Sequence, residues 1–187
     1  MIKVALLGDS IRLLGYGTLV PELLGEEFEV FQPEDNCRYS KYTLRGLFDW
    51  KADLEGCQLV HWNNGLWDLC DLLGDGKLFT EEDEYIHTML RIADILLERY
   101  GKVIFATTTP VTDKNPYNKN EDTLRITQRL IPLLEEKGVI INDLYHFVLP
   151  NIDEYIDQND FTHLTKKGIE ACAERVAELI REVAKTL

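Results

Sequence analysis

Gly8-Asp9-Ser10 closes an apolar run over residues 2–8 (IKVALLG) near the start of the chain. A serine hydroxyl is a weak nucleophile until a neighbouring base takes its proton. A base of that kind stands far downstream in Asp160-Phe161-Thr162-His163. An Asp three residues before a His, in a turn that leads into a helix, can accept from one ring nitrogen and fix the tautomer. Between the two lies Asn63-Asn64-Gly65-Leu66-Trp67-Asp68, which ends another apolar run. Asn side-chain N–H groups can hold a developing oxyanion, and the spacing leaves open whether Asn63 or Asn64 does so. Each feature also has a plain structural use: Ser10 and Asp160 as helix caps, Asn64-Gly65 as a turn.

The elements that must position these residues are visible in the hydrophobic pattern. Runs at 2–8, 28–32, 57–62, 102–107 and 138–141 are short and nearly continuous, as strands buried on both faces are. Helical periodicity fills the gaps. The clearest stripe covers 81–100, with Thr80 and Asp83 in capping-box relation and Gly101 as the stop. Further helices are expected over 121–137, where Pro132 suggests a kink or break, and over 165–185. Weaker patterns cover 16–24 and 41–52. Strands alternating with helices imply an α/β fold with a doubly wound parallel sheet. Ligands bind beyond the carboxyl ends of such strands, so the loops starting near 8, 33, 63, 108 and 142 matter most. The long irregular stretch Thr108 to Asn120 is one of them.

Composition narrows the partners. The chain has 187 residues, 45% of them hydrophobic, enough for one core, and a single domain over 1–187 is expected. Thirty-three acidic residues against 20 basic give a net charge of −13, which repels nucleic-acid backbones and anionic lipid. Neither is an expected partner. The first apolar run is too short for a signal peptide, so a cytoplasmic location is expected. Cys37, Cys57, Cys70 and Cys172 match no zinc or redox spacing and are expected as free thiols, Cys37 lying near the site. His61 falls inside a strand, His87 on a helix and His146 after the last strand, none at metal-ligand spacing. No metal or organic cofactor is expected.

Gly8-Asp9-Ser10 and Asp160-Phe161-Thr162-His163 resemble the first and last blocks of the SGNH (GDSL-type) hydrolases, a resemblance spanning residues 8 to 163. It implies a flavodoxin-like three-layer α/β/α sandwich with about five parallel strands. It implies a Ser10–His163–Asp160 triad acting on a small-molecule carboxylic ester. It also implies an oxyanion hole from the Ser10 N–H, a backbone N–H after the second strand and an Asn after the third. Two positions depart from the family pattern. The third block, usually Gly-x-Asn-Asp, reads Gly65-Leu66-Trp67-Asp68, which shifts the Asn role to Asn63 or Asn64. In the segment 36–43, Ser40 or Lys41 stands where a Gly is expected, although any residue but proline keeps the N–H. Ser40 is therefore the expected second donor.

Trp62, Trp67, Tyr39 and Tyr117 could wall a sugar-binding site or simply pack. Asp9, Trp67 and Tyr117 are expected to contact substrate, with a short acyl group such as acetyl on a carbohydrate as the expected cargo. Two other readings compete: a phosphoacceptor receiver, and an SGNH-like module that binds without turnover. A receiver needs a lysine after the fifth strand, where this chain has Asn142-Asp143.

Overall fold

The computed structural model describes residues 1–187. Five parallel strands form one sheet: β1 (Ile2–Leu7), β2 (Phe28–Phe31), β3 (Leu59–Trp62), β4 (Lys102–Ala106) and β5 (Ile140–Asn142). Their order is β2-β1-β3-β4-β5. This is the flavodoxin-like doubly wound arrangement. Register pairs Val4 with Val30 and Leu59, and Ile104 with Ile140, so the apolar runs lie side by side.

Strand side chains alternate between two faces. Ala5 and Leu7 enter one apolar cluster, Val4 and Leu6 the other. On the first face pack α2 (Ser40–Asp49), α3 (Glu82–Tyr100) and α4 (Asn120–Glu136), through residues such as Leu47, Met89, Leu96 and Leu130. On the second pack α1 (Val20–Leu24), α5 (Leu144–Val148) and α7 (Lys166–Ala184), through Val20, Val148, Val176 and Ile180. A short α6 (Ile152–Tyr155) leads from α5 towards α7. The result is the α/β/α sandwich expected from the sequence, with both sheet faces covered.

Several local details differ from the sequence reading. Thr80 does not cap α3. Its hydroxyl donates to Asp68 at 2.8 Å, and Glu81 takes the cap position without a side-chain bond. Glu82, Asp83 and Glu84 in the first turn supply the negative charge that suits a helix N-terminus. Pro132 does not break α4; it sits on the exposed side, where water can satisfy the carbonyl one turn back. The weak helical pattern over 16–24 resolves into a 3-10 turn, Tyr16–Thr18, followed by α1. All four cysteines are free and buried.

Parallel strands end on one side, so the loops after β1, β2, β3 and β4 converge there. The segment before α7 joins them because α7 begins close against the end of α6. Thr165 caps α7 by accepting from the Gly168 N–H at 3.1 Å, and its own N–H donates to the Tyr155 carbonyl at 2.8 Å. A Cβ on Gly168 would lie 2.3 Å from that same carbonyl oxygen. Gly168→Ala is therefore expected to destabilise the protein by about 1–3 kcal/mol through overpacking. Urea denaturation measures it, and an unchanged midpoint would contradict the close approach.

Candidate active site

Three side chains form a hydrogen-bonded line across the carboxyl end of the sheet. The Ser10 hydroxyl lies 2.9 Å from His163 Nε2. His163 Nδ1 lies 2.8 Å from Asp160 Oδ2. Asp160 is acceptor-only when ionised, so Nδ1 carries the ring proton and Nε2 presents its lone pair to the serine. The chain has two serines, and the other, Ser40, is buried elsewhere.

Local contacts hold Asp160 and His163 in this line. Asp160 Oδ1 accepts the N–H groups of Thr162 and His163, each at 2.9 Å, which folds the turn and aims the other oxygen at the imidazole. Burial acts against the Asp160 charge, but the two N–H groups and the imidazole outweigh it and hold the carboxyl below its ordinary value. An Ile156–Leu164 bridge and the Asp157 N–H donating to the His163 carbonyl at 2.8 Å close the loop. Asp157 itself accepts from Asn159 and turns the loop. The long loop after β4 braces the same segment. The Thr112 N–H donates to the Phe161 carbonyl at 3.0 Å, and Asn115 Nδ2 to the Thr162 hydroxyl at 2.7 Å.

The turn that carries Ser10 rests on a buried polar floor. Asp9 is fully buried. Its Oδ1 accepts the Ile11 N–H at 2.9 Å and Asn63 Nδ2 at 3.0 Å, and burial raises its pKa. The expectation that Asp9 touches substrate is corrected accordingly. Asn63 also accepts from the Tyr16 hydroxyl at 2.7 Å. Asn64 donates to the Arg38 carbonyl at 2.8 Å and accepts from Trp62 Nε1 at 2.8 Å. Both amides are thus engaged inside the protein, and neither borders the cleft beside Ser10. The Ser40 N–H is committed to Asp68 Oδ2 at 2.8 Å, and its hydroxyl to Asp68 Oδ1 at 2.7 Å. The oxyanion role expected for the Ser40 N–H is therefore corrected, and Asn63 and Asn64 each spend one amide N–H on holding loops together. Ser10 stands at the head of its turn, where no earlier carbonyl of the turn can take its N–H.

A cleft of about 400 Å³ opens over Ser10 and His163, with Asn36, Leu66, Trp67 and Tyr117 on its walls. Trp67 and Tyr117 are 39% and 51% exposed, so both aromatic faces are available to a ligand. Trp62 is core, tilted against Phe105, and Tyr39 packs edge-on against Phe79. A larger hollow of about 680 Å³, between the C-terminal ends of α2 and α3, holds no serine or histidine. His61 is buried beside Asn142, and burial lowers its pKa to about 3. His146 pairs with Asp143 at 2.7 Å in the same Asp-x-x-His geometry as His163. Asn142, where a receiver would carry lysine, is buried and accepts from Arg175 at 3.0 Å.

Sequence reasoning missed the burial of Arg12 and the place of Asn36 on the cleft wall. Arg12 is fully buried, and its guanidinium donates to the Pro33 and Asp35 carbonyls at 2.8 Å and the Gly8 carbonyl at 3.1 Å. It fastens the loop after β2 to the exit of β1. A charged residue two positions after the serine gave no sign that it turns inward. Cys37, expected near the site, is buried beneath it, its sulfur accepting the Gly8 N–H at 3.2 Å.

No protein-family model matches the chain, and no curated protein sequence matches it significantly. Solved structures do. The acetyl xylan esterase AlAXEase superposes with a TM-score of 0.77 at 19% identity, covering 96% of this chain and 100% of its own. A lipase/acylhydrolase from Enterococcus faecalis gives 0.79 at 18% identity, covering 97% and 96%. The acetylxylan esterase Axe2 from Geobacillus stearothermophilus gives 0.76 at 15% identity, covering 95% and 93%. The protein has the α/β fold of these hydrolases, which is the fold that the resemblance at Ser10 and His163 implies. No helix is long and apolar enough to cross a membrane.

Asp68 supplies a test of the site's scaffold. Burial raises its pKa to about 6 against the hydrogen bonds from Ser40 and Thr80. Between about pH 4 and pH 6 the folded state holds more protons than the unfolded one, so this group lowers stability as pH rises through that window. An asparagine fits the same partners without the charge. Its oxygen takes the Ser40 N–H, and its amide donates to the two hydroxyls. Asp68→Asn should lose less stability than the parent between about pH 4 and pH 7. Asp68→Ala, which strands buried donors, should cost about 2–4 kcal/mol at either pH. Equal pH slopes for parent and Asp68→Asn would contradict this.

Proposed function

We propose that the protein is a serine hydrolase of carboxylic esters, with Ser10 as nucleophile, His163 as base and Asp160 as its orienting acid. The observation that carries this reading is the continuous line from Ser10 Oγ through both nitrogens of His163 to Asp160, at 2.9 and 2.8 Å. It opens into a cleft of about 400 Å³, within the size range of small-molecule sites.

His163 Nε2 takes the hydroxyl proton as Ser10 Oγ bonds to the acyl carbon. The carbonyl oxygen gains a full negative charge, and the Ser10 N–H is placed to receive it. Collapse of the tetrahedral adduct breaks the ester C–O bond, and imidazolium returns its proton to the leaving alcohol. Water then repeats the sequence and releases the carboxylic acid. Asp160 stabilises the imidazolium throughout. Its lowered pKa keeps it ionised well below neutral pH.

The cargo we assign is a short acyl group, acetyl first, on a carbohydrate alcohol. The exposed faces of Trp67 and Tyr117 suit stacking on a sugar ring. The acetyl xylan esterases among proteins of the same fold favour the same substrate.

Ser10→Ala should lower turnover of a short acyl ester by about 10³-fold or more without altering the thermal midpoint. Asp160→Asn should lower it by roughly 10³–10⁴-fold, because an amide stabilises the wrong tautomer and no longer balances the imidazolium. Steady-state kinetics on an acetyl ester measures both. Near-parental turnover by purified, folded Ser10→Ala would refute the assignment.

A further inference from the structure

An acyl transfer at Ser10 places a negative charge on the carbonyl oxygen, and one backbone N–H beside the nucleophile is a sparse reception for it. The Ser40 N–H and the amides of Asn63 and Asn64 already have partners inside the protein. A different amide stands on the cleft wall. Asn36, in the loop after β2, borders the same cleft as Ser10 and His163. Its Oδ1 accepts the Arg38 N–H at 2.8 Å. Only the oxygen of a carboxamide can accept from an N–H, so this bond fixes which end of the amide is which. The Nδ2 group has no protein acceptor.

The amide is held in place from several directions. Arg38, whose N–H makes this bond, adopts a positive φ of 46°, which turns the chain sharply just after it. Just before Asn36, the Asp35 carbonyl accepts from Arg12 at 2.8 Å, and the Tyr42 hydroxyl donates to the Asp35 carboxylate. Just after it, the Cys37 N–H donates to the Gly8 carbonyl at 3.1 Å, and the Cys37 sulfur accepts the Gly8 N–H at 3.2 Å. Arg12 also donates to the Gly8 carbonyl at 3.1 Å. Residues on both sides of Asn36 are thus tied to the chain immediately before Ser10. A donor that must keep its place relative to a serine needs such attachment, since preorganised donors cost no reorganisation during reaction.

We propose that Asn36 Nδ2 is the side-chain donor of the oxyanion hole. The loop after β2 would then supply the amide that Trp67 cannot give from the loop after β3. The inference rests on Ser10 being the nucleophile. Asn36 is a catalytic residue in the strict sense, because its N–H touches the reacting oxygen, and the contact strengthens as charge develops. Its effect therefore falls on kcat and not on KM.

The test uses Asn36→Asp and Asn36→Ala, with Ser10→Ala as control. Asn36→Asp keeps an oxygen for the Arg38 N–H while removing the donor; Asn36→Ala removes both without adding charge. The expected result for each is a fall in kcat of about 10²–10³-fold, with KM within a few-fold and an unchanged thermal midpoint. Inhibition by a trifluoromethyl ketone analogue of the acetyl ester, which forms an oxyanion on Ser10, should weaken in parallel with kcat. If either folded variant keeps kcat within a few-fold of the parent, Asn36 is not the donor. A loss of kcat with undiminished ketone affinity would overturn the proposal equally, because the role would then be positional. Should Ser10→Ala itself remain active, the nucleophile assignment fails first, an outcome distinct from either of these.

Discussion

One hydrogen bond, between His163 Nε2 and Ser10 Oγ, joins residues 153 positions apart and sets what the rest of the chain must do. The serine follows the first strand, and the histidine precedes the last helix. Their meeting requires β1 near the middle of the sheet, α7 against one face and every strand pointing the same way. The order β2-β1-β3-β4-β5 meets these demands. Gly168 lets α7 start in contact with the Tyr155 backbone, and the loop after β4 props the histidine segment from the other side.

Rigidity beneath the site comes from buried polar side chains that each bond to at least one named neighbour, while Asp9 Oδ2 and Arg12 Nε have none. Asp9, Asn63 and Tyr16 form one chain of bonds under the nucleophile turn. Asp68 gathers Ser40 and Thr80, which joins the start of α2 to the loop after β3. Arg12 pulls three carbonyls from two loops around a single guanidinium. In a low-dielectric interior an unpaired member of such a set is costly, so the loops have one favourable arrangement. The site above them, with Trp67 and Tyr117 exposed, stays open to a ligand.

The layers and strand positions were legible because their signal is local: apolar runs of strand length between helical stripes. The hydrogen-bonded line of Ser10, His163 and Asp160 was legible for a related reason. The Asp-x-x-His turn closes within four residues, and strand polarity puts Ser10 at the reactive edge. Asp143 and His146 make the same side-chain pair at the start of α5, and only tertiary placement gives His163 the serine. The partners of the buried amides were not legible. A buried Asn offers its N–H equally to a ligand or to a neighbouring loop, and composition does not say which. Asn64 gives it to Arg38 and Asn63 to Asp9. Thr80 fitted a capping box but spends its hydroxyl on Asp68, a partner 12 residues earlier. Asn36 carried no signal beyond lying after the second strand.

The proposed chemistry depends on His163 activating Ser10 as a nucleophile. Mass spectrometry after treatment with a fluorophosphonate tests it most directly, because that reagent bonds covalently to an activated serine hydroxyl. One adduct per chain is expected, carried by the peptide containing Ser10, with labelling sharply slowed in His163→Ala. An unlabelled protein, or one labelled at the same rate without His163, would contradict it.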